Sequence, residues 1–400
     1  MNKTITCLLA TLLTLTHALA QTDADGVRTW DGGGRMQADI CVYGATSGGI
    51  TAALTAKRMG KSVILIEPSR RIGGLTAGGL GKTDVGRVEI IQGLAMDFYR
   101  RVGTIYGKAD AVFDFEPKVA LAAFEQMLRE DNLPVQMERR VIKVKKKGNR
   151  LREIVLEDAS QRHRQHLCIE AHEFIDCSYE GDLMARAGVS YTVGRESNSQ
   201  YGETYNGMQM LDKHQFPDGV DPYREKGNPE SGLLWGIMEG DMGQTGQGDK
   251  RVQAYNFRIT MTNDPHNRIP ITRPENYDST HYELLVRWKE TDPWRSDKLR
   301  DCFAWDLMTN PTKTDINNNQ AFSTDMIGYS WDYPEASYKQ RERIFKEHLD
   351  YAKGLLWFVA SDPRVPAFVR RQIGEWGYPK DESPESDHFT PQLYIRESRR

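Results

Sequence analysis

Between residues 39 and 81 the apolar and polar positions follow the order strand, turn, helix, strand and second turn. Asp39 to Tyr43 and Ser62 to Ile66 are continuous apolar runs rich in β-branched residues, as is typical of strands buried on both faces. Ile50 to Met59, between them, carries small residues at helical spacing. The pattern predicts a βαβ unit at the start of an α/β domain.

One helix and three strands complete this predicted domain. Pro117 suits a helix start, and an apolar face follows it before Pro134. The segments Gln136 to Val144 and Leu151 to Glu157 predict a hairpin inserted into the domain. Leu167 to Ile175 predicts a strand that returns to the first sheet at Asp176.

From Gly188 helical periodicity fades, while Gly, Pro, Asn and aromatic residues become more frequent. Ala254 to Thr260 predicts a strand, and two helices are predicted later, one from Tyr338 to Phe358 and one starting at Pro366. The predicted fold class is α/β. It comprises a Rossmann-like domain over residues 38–187, made of the βαβ unit and its hairpin, and a second, mixed α+β substrate domain over residues 188–400.

The N-terminus has the pattern of a secretory signal over residues 1–20, with Lys3, an apolar run from Ile5 to Leu15 and small residues before Gln21. Residues 21–37 are polar and glycine-rich, which predicts a tether. Export to the periplasm or the extracellular space is therefore expected. No later run approaches the roughly 18 to 20 apolar residues of a membrane-spanning helix, so no membrane span is predicted.

Charge and cysteine content narrow the function classes. A formal charge of −3 predicts no nucleic-acid partner, and the basic run Lys143 to Lys147 is interpreted as a solvated hairpin turn. The cysteines after the signal show no Cys-x-x-Cys spacing, which argues against zinc or an iron–sulfur cluster, and no metal is predicted. A disulfide through Cys168 or Cys177 stays open.

A glycine-rich turn, Gly44 to Gly49, follows the first predicted strand directly. Gly44 permits a tight turn, and Gly49 lets the helix pack closely while its first N–H groups face a diphosphate. Thr46 replaces the middle glycine of the usual fingerprint, and its hydroxyl could donate to a phosphate. Glu67 ends the second strand, where an acid binds ribose hydroxyls and disfavours a 2′-phosphate. The unit predicts FAD or NAD; a βαβ unit without a ligand is the alternative.

A second glycine-rich loop, with Gly73, Gly74, Gly78, Gly79 and Gly81, comes shortly after the predicted ribose acid. Glycines there would bring backbone against the rest of a bulkier cofactor, because side chains would fill the space of a flavin. NAD enzymes rarely need such a loop. The second loop therefore favours FAD.

The segment from Glu67 to Asp84 resembles the secreted bacterial FAD-dependent oxidoreductase family, whose members are glutathione-reductase-like flavoproteins. Further motifs extend the resemblance over nearly all of the mature chain: Phe115 to Val119, Phe174 to Asp182, Lys313 to Asn319 and Gln392 to Glu397. The resemblance implies a bound FAD and redox chemistry, with backbone near Val141 facing the adenine. The predicted cofactor contacts are Gly44, Ala45, Thr46, Ser47, Gly48, Gly49, Glu67, Pro68, Gly73, Gly74, Gly78, Gly79, Gly81, Val141 and Asp176.

Oxidation of an alcohol or amine by a flavin also needs a base for the proton. His388 is the preferred histidine, although a surface-loop histidine is the plainer interpretation. Arg396 is the second catalytic candidate, for an anionic substrate group or the reduced flavin, and a helical salt bridge with Glu397 or a neighbour is the alternative. Asn317, Asn318 and Asn319 are predicted to form a substrate-binding loop; Asx turns are an equally good explanation.

The tryptophans of the second domain could stack on a sugar, although core packing explains most tryptophans. The predicted function is an exported oxidoreductase that moves a hydride from a small organic substrate to FAD and passes electrons to an unidentified acceptor; a carbohydrate derivative is one candidate for that substrate. The alternative is a secreted binding protein without turnover. Glu397 to Arg400 resemble the middle of a helix, which predicts a fragment or a truncated chain.

Overall fold

The computed structural model describes residues 20–30, 34–160, 165–295 and 299–400. The predicted signal peptide lies outside these residues, except for Ala20. A sheet of eight described strands forms the first half of the molecule. Its strands are β1 (Gln21–Thr22), β2 (Arg28–Trp30), β3 (Arg35–Tyr43), β4 (Val63–Ile66), β5 (Val135–Gln136), β6 (Arg139–Lys147), β7 (Arg150–Asp158) and β8 (Leu167–Asp176).

Strand β3 is the centre of this sheet. It pairs in parallel with β4 and with β8, and β4 pairs in parallel with β5. The register places Tyr43 opposite both Ile66 and Asp176. The carboxyl ends of three strands therefore meet at one edge, where open α/β sheets bind ligands.

The predicted hairpin is present as the antiparallel pair β6 and β7, which joins β8. Its first strand starts later than predicted because Glu138 has a positive φ of 56°, which ends β5 and separates it from β6. The segment predicted as a tether differs more: residues 21–37 supply β1, β2 and the start of β3. Arg28 pairs with Gln37 and Trp30 with Arg35, so this segment belongs to the sheet.

Helices α1 to α4 lie between the strands of the first sheet, and α5 and α6 follow it. Apolar residues of α1, α3 and α4 pack with β3 and β4 in one buried cluster. The bounds are α1 (Ser47–Arg58), α2 (Gly74–Ala77), α3 (Gly93–Ile105), α4 (Pro117–Glu130), α5 (Asp182–Arg186) and α6 (Asn198–Tyr201).

The second half of the molecule is built on an antiparallel sheet with the order β13-β16-β12-β15-β14, accompanied by two short strand pairs. Its largest buried cluster runs from Leu234 to Ile395. The strands are β9 (Tyr223–Glu225), β10 (Asn228–Leu233), β11 (Asn256–Phe257), β12 (Ile259–Thr262), β13 (Arg268–Pro270), β14 (Phe303–Leu307), β15 (Lys313–Asn318), β16 (Gly377–Pro379) and β17 (Leu393–Tyr394).

Both predicted helices of this half are confirmed, as α8 (Tyr338–Ser361) and α9 (Ala367–Gly374), and α7 (Glu283–Thr291) was not predicted. Helix α8 starts at a capping box in which Ser337 and Gln340 satisfy each other's backbone N–H groups. The short 3-10 helices are Val88–Ile90, Ser279–Tyr282, Leu299–Asp301, Tyr333–Glu335 and Pro384–Ser386.

Two sequence expectations for this half are wrong. The segment from Lys313 to Asn319, predicted as a loop, supplies β15, which lies between β12 and β14. Its charged side chains can be buried there because each has an oppositely charged partner. The chain end, predicted as a helix, runs in an irregular conformation and exchanges two backbone hydrogen bonds between Arg400 and Thr192, at 2.8 and 3.1 Å.

Candidate functional site

The first glycine turn lies at the carboxyl end of β3 and leads into α1. Gly44 has a positive φ of 94°, and a Cβ added to it would lie 2.7 Å from the backbone nitrogen of Ser178. A Cβ on Gly49 would lie 1.8 Å from the carbonyl oxygen of Gly44. Both positions therefore require glycine, one for the turn and one for the close approach of the helix.

Thr46 caps the start of α1. Its Oγ1 accepts a hydrogen bond from the N–H of Gly49 at 3.2 Å and donates to the carbonyl oxygen of Cys177 at 2.9 Å. The hydroxyl proton, which the sequence suggested for a phosphate, is thus used within the protein. The capped turn leads into α1, and the first N–H groups of a helix are the ones that can bind an anion because they have no partner within the helix.

Glu67 lies at the end of β4 beside the first turn and is 7% exposed. Its carboxyl oxygens accept hydrogen bonds from the N–H groups of Ala45 and Ser69, both at 2.8 Å. Burial raises the pKa of this carboxyl to about 7, although both hydrogen bonds oppose the shift. A carboxyl oxygen has two lone pairs, so each oxygen can accept a further hydroxyl donor.

The second glycine loop is hydrogen-bonded to the first turn, since the N–H of Gly73 donates to the carbonyl oxygen of Ala45 at 2.7 Å. Protein atoms fill the space around its other glycines. A Cβ on Gly74 would lie 2.4 Å from the hydroxyl of Tyr179, and one on Gly78 would lie 2.5 Å from Cβ of Gln392. These glycines therefore allow close protein packing, and contact of their backbone with a flavin stays a prediction.

Asp315 connects the second glycine loop to the second sheet. Its fully buried carboxyl accepts hydrogen bonds from Gly81 N–H at 3.1 Å, Lys82 N–H at 3.2 Å and the Arg258 guanidinium at 2.9 and 2.6 Å. Burial raises the pKa of Asp315, and the ion pair with Arg258 opposes that shift. Asp315 belongs to the segment from Lys313 to Asn319, and its role could not be predicted from the sequence because it depends on contacts between distant segments.

Two predicted contacts use their polar atoms inside the protein. Val141, expected near an adenine, receives a hydrogen bond on its carbonyl oxygen from the Tyr338 hydroxyl at 2.7 Å, and its N–H donates to the Tyr43 hydroxyl at 3.2 Å. Asp176 accepts hydrogen bonds from Ser178 and from the N–H of Met184 at 2.8 Å. Asp176 thereby fixes the turn that follows β8.

The structure brings the catalytic candidate Arg396 together with two predicted substrate-binding residues at the end of β15. Nη2 of Arg396 lies 2.8 Å from Oδ1 of Asn318 and 3.4 Å from Oδ1 of Asn317. Asp325, which the sequence analysis missed, lies 3.1 Å from the same nitrogen and balances its charge. Burial raises the pKa of Asp325, opposed by Arg396. The predicted helical salt bridge with Glu397 is wrong, because Arg396 lies outside any helix.

Asn256 extends this group of side chains, and its Nδ2 donates to Asn317 Oδ1 at 3.0 Å. We call Asn256, Asn317, Asn318, Asp325 and Arg396 the amide cluster. Asn319 follows β15 directly. His388 is not joined to the cluster by any hydrogen bond within the described ranges. Its Nδ1 lies 3.0 Å from the carbonyl oxygen of Glu382, and its φ is 61°.

Three further kinds of feature matter for the described residues: metal sites, disulfides and membrane-spanning helices. Among them, no group of three or more His, Cys, Asp or Glu side chains is placed to hold a metal ion. The four cysteines that the structure describes are free thiols. Over the same part of the chain, no helix combines the length and the apolar character needed to cross a bilayer.

A Rossmann-like sheet with a glycine turn at the start of α1 and an acid at the end of β4 defines a dinucleotide-binding protein. The family model described as FAD dependent oxidoreductase matches residues 39–400. The chain therefore belongs to the FAD-dependent oxidoreductase family. No sequence among curated proteins matches the chain.

Solved structures similar to this chain include proteins that are named as flavin-dependent. A flavin monooxygenase from Stenotrophomonas maltophilia is 21% identical, over 35% of this chain and 37% of its own, with a TM-score of 0.26. A flavoprotein/dehydrogenase from Cytophaga hutchinsonii is 15% identical, over 40% and 43%, with a TM-score of 0.31. An L-amino acid deaminase from Proteus vulgaris is 12% identical, over 40% and 53%, with a TM-score of 0.30. The chain thus covers about half or less of each.

The residues of the first turn fit the adenosine diphosphate part of FAD. A Cβ on Gly48 would meet only Thr46 Oγ1, at 3.8 Å, so the outer face of the turn is open for a diphosphate. The turn from Gly44 to Gly49 would hold the diphosphate, and Glu67 would bind the ribose hydroxyls. FAD is therefore the cofactor that both the family and this half of the site support.

Proposed function

We propose that this protein is an exported oxidoreductase that oxidises a small, uncharged, hydroxylated substrate with FAD. Family membership supports the reaction class. The observation that carries the proposal is the first glycine turn beside buried Glu67, because this pairing provides both a diphosphate site and a ribose acid. Bound FAD supplies a ring that accepts a hydride. The side chains described below bind and orient the substrate.

The amide cluster is the proposed substrate-binding group. It offers amide donors and acceptors from Asn317 and Asn318, together with the guanidinium of Arg396. Because Asp325 balances the positive charge at 3.1 Å, the cluster is better suited to neutral hydroxyls than to an anion. Neutral hydroxyls at several positions are typical of a carbohydrate-derived substrate.

The tryptophans add little support for a sugar substrate. Trp288 is buried in the second core, and Trp235, Trp294, Trp305 and Trp331 are partly buried against it. Their rings are thus occupied largely by packing. The carbohydrate proposal depends on the amide cluster instead.

The expected outcome for purified protein is a yellow solution with flavin absorbance. Anaerobic addition of a sugar or polyol substrate should bleach that absorbance, and Asn318→Ala should raise the substrate concentration needed for half-maximal bleaching. Asn206→Ala is the matched control, because the Asn206 side chain accepts a hydrogen bond from the neighbouring Gly207 N–H at 3.0 Å and makes no hydrogen bond to the cluster within the described ranges. A colourless protein would contradict the proposal, and stable colour with every substrate class would favour the binding-protein alternative.

Export is a separate part of the proposal, supported by the signal pattern over residues 1–20. Secreted protein should begin at Gln21 when its N-terminus is sequenced. Recovery of the full chain with Met1 in the cytoplasmic fraction would contradict it.

A further inference from the structure

Tyr179 lies where the two glycine turns meet. A Cβ built on Gly74 would lie 2.4 Å from the Tyr179 hydroxyl and 3.2 Å from Cγ2 of Thr46. The hydroxyl is thus beside the first turn and the second loop at once. Its ring packs against the core of the second half of the molecule, which fixes the position of the phenol between both halves.

The Tyr179 hydroxyl accepts a hydrogen bond but donates none within the described part of the chain. The hydroxyl accepts a hydrogen bond from the N–H of Leu75 at 2.7 Å. Within the described part of the chain, it has no acceptor for its own proton. Burial raises the pKa of Tyr179 to about 12, and nearby Glu67 adds to the shift. The phenol therefore keeps its proton at neutral pH and can donate it.

A diphosphate held by the first turn is the acceptor that fits this donor. Phosphate oxygens are strong acceptors, and a hydrogen bond to a charged group is stronger than one to a neutral group. We propose that Tyr179 is a cofactor-binding residue whose hydroxyl, oriented by Leu75 N–H, donates a hydrogen bond to the diphosphate of FAD. This inference rests on the proposed function, since it requires FAD at the first turn.

The test is the affinity of the full chain for FAD, measured by quenching of flavin fluorescence. Tyr179→Phe should raise the Kd by about tenfold to a hundredfold, the range for loss of a hydrogen bond to a charged acceptor. Tyr282→Phe is the matched control, because it removes a buried hydroxyl that donates to the Tyr351 carbonyl oxygen at 3.0 Å. The control should leave the Kd for FAD within about twofold of the wild-type value, because Tyr282 shares no hydrogen-bond partner with the first glycine turn among the residues that the structure describes.

A second measurement separates a donor from a structural hydroxyl. A fluorinated tyrosine at position 179 keeps the shape of the residue but ionises at lower pH. If the hydroxyl donates to FAD, affinity should fall as this phenol ionises, while wild-type affinity stays level over the same range. A merely structural phenol would keep its bond from Leu75 N–H, and affinity would not fall.

The outcomes distinguish the two proposals. Wild-type and Tyr179→Phe proteins with equal Kd values would overturn the role of Tyr179 alone. Tight FAD binding that depends on Tyr179, but without bleaching by any substrate, would overturn the proposed activity alone. A wild-type protein that binds no FAD would overturn both.

Discussion

The first glycine turn follows the central strand of one sheet and strand β15 lies inside the other, and their stability has different origins. In the turn, Thr46 caps an N–H three residues away, and Glu67 bonds Ala45 across 22 residues. In β15, Asp315 reaches Gly81 across 234 residues. The turn is thus organised by local backbone chemistry, whereas β15 depends on charges brought from distant segments.

The difference matters for how each region fails. Backbone hydrogen bonds of a turn can be lost singly at modest cost, but a buried charge without its partner is costly. Substitutions in β15 should therefore affect the stability of the whole fold. Substitutions in the turn should cost less stability than those in β15, and a substitution on its open face should affect FAD binding more than stability.

The largest effect is expected for Lys313→Met. Lys313 is fully buried, and its Nζ lies 3.0 Å from Glu116, 2.8 Å from Asp381 and 2.9 Å from Glu382. Removing the cation leaves these acids uncompensated, which should lower the free energy of unfolding by about 3–5 kcal/mol. Urea denaturation at neutral pH measures the change.

The control for this prediction is Lys226→Met, which breaks an exposed ion pair with Glu290. It should change stability by about 1 kcal/mol or less. Equal urea midpoints for both variants would mean that the acids around Lys313 lose their charge at little cost. Substitutions in β15 would then cost as little stability as the loss of single hydrogen bonds in the turn.

Glu67→Gln should remove the part of the pH dependence of stability that comes from the buried carboxyl beside the turn. Because burial raises the pKa of Glu67 from 4.5 to about 7, protonation favours the folded FAD-free protein. The contribution of protonated Glu67 to the free energy of unfolding is fully present below pH 4.5 and is lost as the pH rises through about 7. The wild-type protein should lose about 3 kcal/mol over that range relative to Glu67→Gln.

The measurement is urea denaturation of the FAD-free protein at pH 5 and pH 8. Glu125→Gln, which changes an exposed carboxyl on α4, should show the wild-type pH dependence. If the free energy of unfolding changed equally with pH in the wild type and in Glu67→Gln, the raised pKa of Glu67 would be contradicted.

The sequence predicted features that depend on local rules. The turn at Gly44 follows from glycine spacing and the helix that starts at Tyr338 follows from helical periodicity, and both are present. The amide cluster was predicted in separate pieces, as Asn317, Asn318 and Arg396. Their contact with one another could not be derived, because it requires the pairing of β15 with β12 and the path of the chain end.

The errors have the same physical cause. The segment from Lys313 to Asn319 was expected to be a loop because its polar residues suit turns, and the carboxylates that allow its burial lie in other parts of the chain. Asp325 was missed for the same reason. The packing of Gln392 and Tyr179 against the second glycine loop was also missed, because it joins distant segments of the chain. Pairing partners of charged and close-packed residues are set by the fold.

Two neighbouring glycines test whether the turn serves packing or the cofactor. Gly49→Ala should lower the free energy of unfolding by about 1–3 kcal/mol through overpacking, because its Cβ would lie 1.8 Å from Gly44 O. The Cβ added by Gly48→Ala would face open space, so the free energy of unfolding should stay unchanged or rise by up to about 1 kcal/mol. The substitution should nevertheless weaken FAD binding, measured by fluorescence. Unchanged FAD affinity in Gly48→Ala would contradict a diphosphate at this face.

The smallest effect is expected for Thr46, the residue that departs from the glycine fingerprint. Thr46→Ala removes the cap on Gly49 N–H and should cost about 1 kcal/mol, whereas Thr46→Ser keeps the hydroxyl and Thr46→Gly should cost only a few tenths of that. The order Ser, Gly, Ala in urea midpoints would show that Thr46 acts as a helix cap. If Thr46→Gly instead matched Thr46→Ala in stability, the bond to Cys177 would be the more important one. The turn would then share the long-range dependence of β15.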